Sequence, residues 1–178
     1  MIAGLVCNNG EFFTHDHENH LVFDGHRLPY AEFPIEVLQV IDNSIEPAHQ
    51  KALDTMDILD IDSRRNKWLS CNQANLDFVA DYNPNKSKLE REVVQCDHRL
   101  SCDQNGILCI SPSQGSGLTD RRLQVLQCIG KGMLDKEIAV KLKISEKTVR
   151  VHNKYLRDFF GCHRKADLAL RAKKINLI

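Results

Sequence analysis

At 178 residues the chain has room for one domain or for two small ones. Lys and Arg together number 24, as do Asp and Glu, and this zero balance excludes a histone-like polycation. No run of about 18 apolar residues occurs, and no basic region followed by an apolar stretch opens the chain. The expectation is therefore a cytoplasmic protein rather than a membrane-spanning or secreted one. In that compartment the seven cysteines are expected to be free thiols or metal ligands rather than disulfides.

The first 33 residues read as β structure. Ala3 to Cys7 and Glu11 to Thr14 flank Asn8-Asn9-Gly10, whose Asn-Gly step suits a hairpin turn. Leu21 to Phe23 forms a further strand before Asp24-Gly25. Between them, His15-Asp16-His17-Glu18-Asn19-His20 packs three imidazoles and two carboxylates into six residues. That composition is able to ligate a metal, and equally suits an exposed polar turn. Pro34 opens a helix through Ile35, Val37, Leu38 and Ile41. A second helix is expected over Pro47 to Leu59, with Ala52, Leu53, Met56 and Leu59 as its apolar stripe.

From residue 66 to 110 the pattern is of short strands broken by polar turns, at Trp68 to Ser70, Asp77 to Val79, Val93 to Gln95 and Ile107 to Ile110. Cys96, Cys102 and Cys109 are spaced C-x5-C-x6-C in this stretch, with Cys71 upstream. Their neighbours Asp97, Arg99, Ser101 and Asp103 are poor company for an apolar core. Four thiolates from two segments could hold zinc tetrahedrally and staple a region with little apolar core, with His98 as the substitute ligand. Reduced cysteines packed as small hydrophobes are the competing reading, and it is preferred for Cys128 and Cys162.

Ser111 to Gly117 has linker composition. Charge divides there. Residues 117–178 hold 15 Lys and Arg against 6 Asp and Glu, a net of +9, which leaves 9 against 18 and a net of −9 for residues 1–116. A basic tail on an acidic domain points to nucleic acid as the partner of the tail. Four short helices are expected in this third. Thr119 caps the first, with Val125, Leu126 and Ile129 inward and Gly130-Lys131-Gly132 as its stop. Asp135 starts and caps the second, which buries Ile138, Ala139 and Leu142. Ser145 caps the third, with Val149, Leu156 and Phe160 on its inner face, and Gly161 ends it. The fourth runs from about Arg164 to Lys174, with Leu168, Ala172 and Ile175 on one side.

Leu118-Thr119, Val125-Leu126, Gly132, Lys136 to Ala139, Leu142, Ile144-Ser145, Lys147 to Val149, Val151-His152, Leu156 and Gly161, in this order and spacing, resemble the LuxR-type (GerE-like) DNA-binding domain. The resemblance covers residues 118–178. It implies a tetrahelical helix-turn-helix whose third helix enters the major groove and whose fourth helix pairs two copies. It also implies that Arg150, Val151 and Lys154 meet bases or nearby phosphates, and that Lys136, Thr148 and His152 hold the backbone, with Lys147 as a further DNA-binding residue. The chain departs from the family at Arg122, Leu134, Tyr155 and Phe159. Arg122 weakens an expected ion pair, and Leu134 leaves capping to Asp135. The apolar Leu123 and Phe159 mark a possible contact with the N-terminal domain. More faintly, the cysteine segment resembles a cysteine-rich module that precedes such domains in some bacterial regulators.

The expected fold is α+β. A small mixed domain at 1–110, with a cysteine-rich, zinc-stapled segment at 71–109, is followed by a linker at 111–117 and an all-α domain at 118–178. The function expected is sequence-specific transcription regulation on double-stranded DNA by a homodimer, without enzymatic activity and with RNA polymerase as a possible further partner. The N-terminal domain would sense, dimerise or contact polymerase. No strand–helix alternation of a phosphoacceptor domain appears in it, and no nucleophile, phosphate-loop or dinucleotide motif either. Two other readings stay open. One is a metal-dependent enzyme or metal sensor in residues 1–116, localised by the DNA-binding tail. The other is a self-masking regulator whose acidic half covers its own basic face.

Overall fold

A computed structural model describes all residues except 1–4, 6–8, 77–78, 100, 113–117 and 176. Most of the expected strand at Ala3 to Cys7 lies outside the described residues, as do Asn8, most of the expected strand at Asp77 to Val79 and most of the linker. Gly10, at the end of the expected Asn8-Asn9-Gly10 turn, bridges antiparallel to Tyr82 through two hydrogen bonds of 2.8 and 2.9 Å. The chain folds as two compact units. Unit 1 comprises Met1–Val94 and Asp103–Ile110, and unit 2 Gln95–Cys102 and Ser111–Ile178.

Unit 1 opens with a three-stranded antiparallel sheet of β1 (Glu11–His15), β2 (Glu18–Phe23) and β3 (His26–Pro29), in that spatial order. Both connections are two-residue loops with two positive φ values, at Asp16 and His17 (50° and 66°) and at Asp24 and Gly25 (48° and 76°). That backbone follows the right-handed twist of the strands. β3 was not anticipated, because His-Arg-Leu-Pro carries no alternation of polar and apolar residues. A 3-10 turn, Tyr30–Glu32, leads to α1 (Ile35–Ser44) and α2 (Pro47–Thr55). The expected second helix is shorter than the apolar stripe implied. It stops at Met56, Asp57 adopts a left-handed φ of 55°, and Leu59 is left 75% exposed.

Ile61–Asn72 forms a helix, α3, where strand-like pieces were expected around Trp68 to Ser70 and Cys71. Its apolar content is too thin to show helical periodicity, and polar contacts hold it instead. Asp60 accepts the Ser63 N–H at 2.8 Å at its start. Arg65 grips the Asp42 carboxylate of α1 with two hydrogen bonds of 2.7 and 2.6 Å, and Arg64 pairs with Asp54 of α2. Only Trp68, Leu69 and Asn72 of α3 are buried. Trp68 and Leu69 join Phe12, Leu21, Ile41 and Leu53 in the core of the unit, and Asn72 donates to the Trp68 and Leu108 carbonyls at 2.9 Å each. Neither Val93 to Gln95 nor Ile107 to Ile110 forms a strand.

Unit 2 contains the four expected helices, α4 (Asp120–Gly130), α5 (Asp135–Leu142), α6 (Glu146–Phe160) and α7 (Lys165–Lys174). Val125, Leu126, Ile138, Val149, Leu156 and Leu168 are each fully buried in one core. Leu123 and Cys128 belong to the same core, so Leu123 is not free for a contact outside it. Gly130 lets α4 and α7 approach closely, since a Cβ there would lie 3.0 Å from the Ala172 Cβ.

Candidate nucleic-acid interface

The turn between α5 and α6 is three residues long. Lys143 adopts the left-handed conformation that ends α5 (φ 51°, ψ 50°), Ile144 returns its N–H to Ala139 O at 3.0 Å, and Ser145 begins α6. The Ser145 hydroxyl accepts the Thr148 N–H at 3.0 Å and lies 2.8 Å from the Thr148 hydroxyl. Arg121 of α4 donates to the Leu142 carbonyl, closing the exposed C-terminal end of α5. These bonds satisfy backbone groups that a helix end otherwise leaves open, and they fix the angle at which α6 leaves the turn.

A second set of contacts ties the helices together around Asp135. Its carboxylate accepts from Lys165 Nζ of α7 at 2.7 Å and from Asn153 Nδ2 of α6 at 3.0 Å. Burial pushes the Asp135 carboxyl up, but the hydrogen bond and charge of Lys165, with Asn153 and Arg150, outweigh it and hold the group below its ordinary value. Asp135 therefore does not cap α5. Leu134 occupies the cap position without a side-chain bond, and Glu137 accepts the Leu134 N–H at 2.7 Å. The reason is positional: Asp135 is the first residue of the helix proper, one past the cap, and its Oδ1 serves Lys165 and Asn153 of the neighbouring helices.

α6 then presents two different faces. Val149, Asn153 and Leu156 are buried, and Phe160 packs partly against the same core. On the opposite side Lys147, Arg150, Val151 and Lys154 are all exposed, at the i, i+3, i+4, i+7 spacing that aligns side chains on one helical face. Val151 is 61% exposed, an apolar branched group set among three cations. Arg150 is steadied by Glu146, one turn earlier, at 3.3 Å. Both groups are well exposed, so this pair contributes little to stability and is easily exchanged for another anion.

Thr148 and His152, one turn apart, are half-buried beside that row, and Lys136 is exposed on α5. Burial, followed by the charges of Arg122 and Arg121, pushes the His152 imidazole below its ordinary pKa. At neutral pH it is therefore an uncharged hydrogen-bonding group rather than a fourth cation. The unusual Arg122 and Tyr155 explain each other, because the guanidinium lies 3.4 Å over the Tyr155 ring, a cation–π contact in place of an ion pair. Tyr155 in turn stacks on Phe159. The sequence showed these as separate departures, and the one-turn spacing of Tyr155 and Phe159 was the available clue that they act together.

The cysteines divide between the units, Cys71 and Cys109 in unit 1 and Cys96 and Cys102 in unit 2, and all four are half-buried. Among the described residues no group of three or more His, Cys, Asp or Glu side chains is gathered closely enough to hold a metal ion. The histidine-rich turn illustrates why. His20 is buried against Phe13, with Arg27 3.0 Å from its Nε2, while His15 and His17 are exposed. His15 ends its strand and His17 stands in the turn, whereas His20 is paired with Phe13 further along the sheet. Cys128 is a buried core thiol, pushed up in pKa by that burial.

A short, capped three-residue turn between two packed helices, with a cationic outer face on the second, defines a helix-turn-helix DNA-binding domain. Residues 116–172 match the bacterial regulatory proteins of the luxR family (GerE), and this segment is a LuxR-type helix-turn-helix domain. The match covers the C-terminal third and leaves the N-terminal unit outside it. No curated protein and no solved structure matches the chain. GerE domains belong to DNA-binding regulators rather than enzymes, and no helix among the described residues is long and apolar enough to cross a membrane.

Proposed function

We propose that the chain is a sequence-specific transcription regulator that inserts α6 into the major groove of duplex DNA. The observation that carries this reading is the exposed row of Lys147, Arg150, Val151 and Lys154 on a helix whose other face is locked into a core. Arg150 and Lys154 supply donors for base edges, and Val151 suits the methyl group of a thymine. Lys136, Lys147, Thr148 and His152 hold phosphates on either side, which sets register without reading sequence. A homodimer placing two such helices on a two-fold symmetric site is part of this reading, as is a regulatory role for unit 1, with RNA polymerase as a possible further contact.

Selection of bound DNA sequences followed by salt titration tests it. Arg150→Ala is expected to lose about 1–3 kcal/mol of affinity for the selected site and to relax preference at one base position. Lys147→Ala is expected to weaken all sequences alike and to lower the log–log salt slope by about 0.9. Wild-type binding by Arg150→Ala would overturn the placement of α6. A second reading is favoured by the charge division, net −9 for residues 1–116 and +9 for 117–178: the acidic part covers the basic face until a signal releases it. Equal DNA affinity of the whole chain and residues 115–178 at low salt would remove that reading. Zinc on Cys71, Cys96, Cys102 and Cys109 is a separate proposal from the sequence alone. Unchanged fold and metal content after chelation would sink it.

A further inference from the structure

Unit 1 contains a cleft of about 700 Å³ formed by the β1–β2 turn, the end of β3 and α3. This volume lies in the range of sites for small organic ligands. The floor is a closed polar network. Asn19, itself buried, donates to the Asn66 carbonyl and side-chain oxygen at 2.9 Å each, and its own side-chain oxygen accepts from Thr14 at 2.8 Å and Ser70 at 3.1 Å. A network satisfied in this way is rigid and offers no bond that a ligand must break. One wall is apolar, made by Pro29, Ile58 and the Tyr30 ring. Tyr30 is fixed by its hydroxyl, which donates to Asp62 at 2.8 Å, and by a tilted contact with Phe33 at 5.2 Å between ring centres.

The charges lining this cleft are unmatched. Lys67 is half-buried and Glu18 exposed, and neither has an ion-pair partner or a side-chain hydrogen bond among the described residues. This contrasts with Arg64 and Arg65 on the same helix, both of which are paired. His17 also borders the cleft and sits in left-handed backbone (φ 66°), where a glycine or asparagine is usual. A lysine whose stem is partly buried in the wall of a cleft and whose ammonium has no counter-charge there is available to an incoming anion.

We propose that this cleft binds a free α-amino acid. Its carboxylate pairs with Lys67 Nζ, its ammonium group pairs with the Glu18 carboxylate, and its side chain lies on the Tyr30–Ile58–Pro29 wall. An effector held in this way couples the β1–β2 turn to α3 inside unit 1. The inference deepens the regulatory reading of that unit but does not depend on DNA binding.

The test is calorimetric titration of the full chain with each of the twenty amino acids, and then with the amide of whichever binds best. At least one amino acid is expected to bind and to raise the thermal midpoint. The amide, lacking the anionic carboxylate, is expected to bind about tenfold more weakly or worse, and Lys67→Ala to show the same loss toward the parent amino acid. Glu18→Gln, at an exposed hairpin position, is expected to weaken binding with the ligand-free midpoint unchanged, so it carries the test if Lys67→Ala folds poorly. Absence of heat and of any midpoint shift across the panel overturns the proposal, as does binding that both variants leave intact. Amino-acid binding without DNA binding would instead overturn only the function of α6. Operator binding without amino-acid binding would overturn only the cleft.

Discussion

The two units reach a folded core by different means. In unit 2 the core is a list of aliphatic side chains at helical spacing, and each helix ends on a local device, such as Thr119 and Ser145 at N-termini or Gly161 at a C-terminus (φ 62°). In unit 1 the core is anchored by aromatic rings and one tryptophan, and the helices are positioned by guanidinium–carboxylate pairs from α3 to α1 and α2. Apolar periodicity carries information to any reader of the sequence. A paired arginine carries none until its partner is known. Local chemistry built one unit, and contacts between residues about 10 to 40 positions apart built the other.

The largest effect is expected at Trp68, the only tryptophan of the chain and fully buried. Trp68→Ala is expected to remove about 3–5 kcal/mol from unit 1 through the cavity it leaves. Urea unfolding followed by circular dichroism is expected to show an early transition for unit 1, with the helical transition of unit 2 unmoved. A single transition shifting as a whole would show that the two units unfold together, and the contrast drawn above would then be one of sequence pattern only.

That contrast explains what could be read in advance. Within unit 2 the elements, the inner residues and the exposed row on α6 all followed from spacing and caps, because each determinant lies within a turn of the residue it affects. The exceptions are the long-range contacts. Asp135 looked like a cap and is a tie to α6 and α7, and Leu123 looked like a surface residue and is core. In unit 1, α3 was missed because Ile61–Asn72 buries only three side chains, and β3 because it has no alternation. The cleft was missed entirely. Asn19, Tyr30 and Lys67 come together only once β2, the 3-10 turn and α3 are in place.

A smaller effect is expected where unit 2 uses the long-range chemistry typical of unit 1. Asp135→Asn keeps the shape but removes the charge facing Lys165. It is expected to cost about 1–2 kcal/mol, a figure kept low because the Lys165 side chain remains 38% exposed. The pH dependence has a definite sign. The folded carboxyl sits below its ordinary value, so its contribution is complete above the unfolded pKa of about 3.9 and disappears as pH falls through the folded value. Acid denaturation of Asp135→Asn is therefore expected to be shallower than that of the wild type in this range. Parallel acid limbs would show that the tie contributes nothing.

Unit 1 has its own acid-sensitive point at His49. The Glu46 N–H and the Trp68 indole N–H both point at its Nδ1, at 3.2 and 3.3 Å, and Arg91 faces its Nε2 at 3.0 Å. Three donors crowd the two ring nitrogens and disfavour a second proton, which the Glu46 charge and the Ser44 backbone favour to a lesser degree. Burial, then the Arg91 charge, accordingly pushes the imidazole below its ordinary pKa. Since the unfolded chain binds this proton more readily, stability is complete above about pH 6.5 and falls as pH drops below it. Fluorescence of Trp68 during urea unfolding is expected to show a lower midpoint at mildly acidic pH, with the shift reduced in His49→Gln. An equal shift in that variant would assign the effect elsewhere.

The smallest effect is expected within unit 2 itself. Lys143 holds the left-handed position that closes α5, where glycine is the usual residue. A side chain in that conformation costs about 1–2 kcal/mol, and glycine returns part of this through the greater freedom of its unfolded chain, about 0.5–1 kcal/mol. Lys143→Gly is therefore expected to stabilise unit 2 by about 0.5–1 kcal/mol in urea unfolding. The same variant removes a cation beside the DNA-facing helix. If Lys143 is a solvated lysine outside the interface, the salt dependence of DNA binding is unchanged. If the log–log slope falls by about 0.9, Lys143 neutralises a phosphate, and the strained turn residue is then retained for DNA contact at the expense of stability.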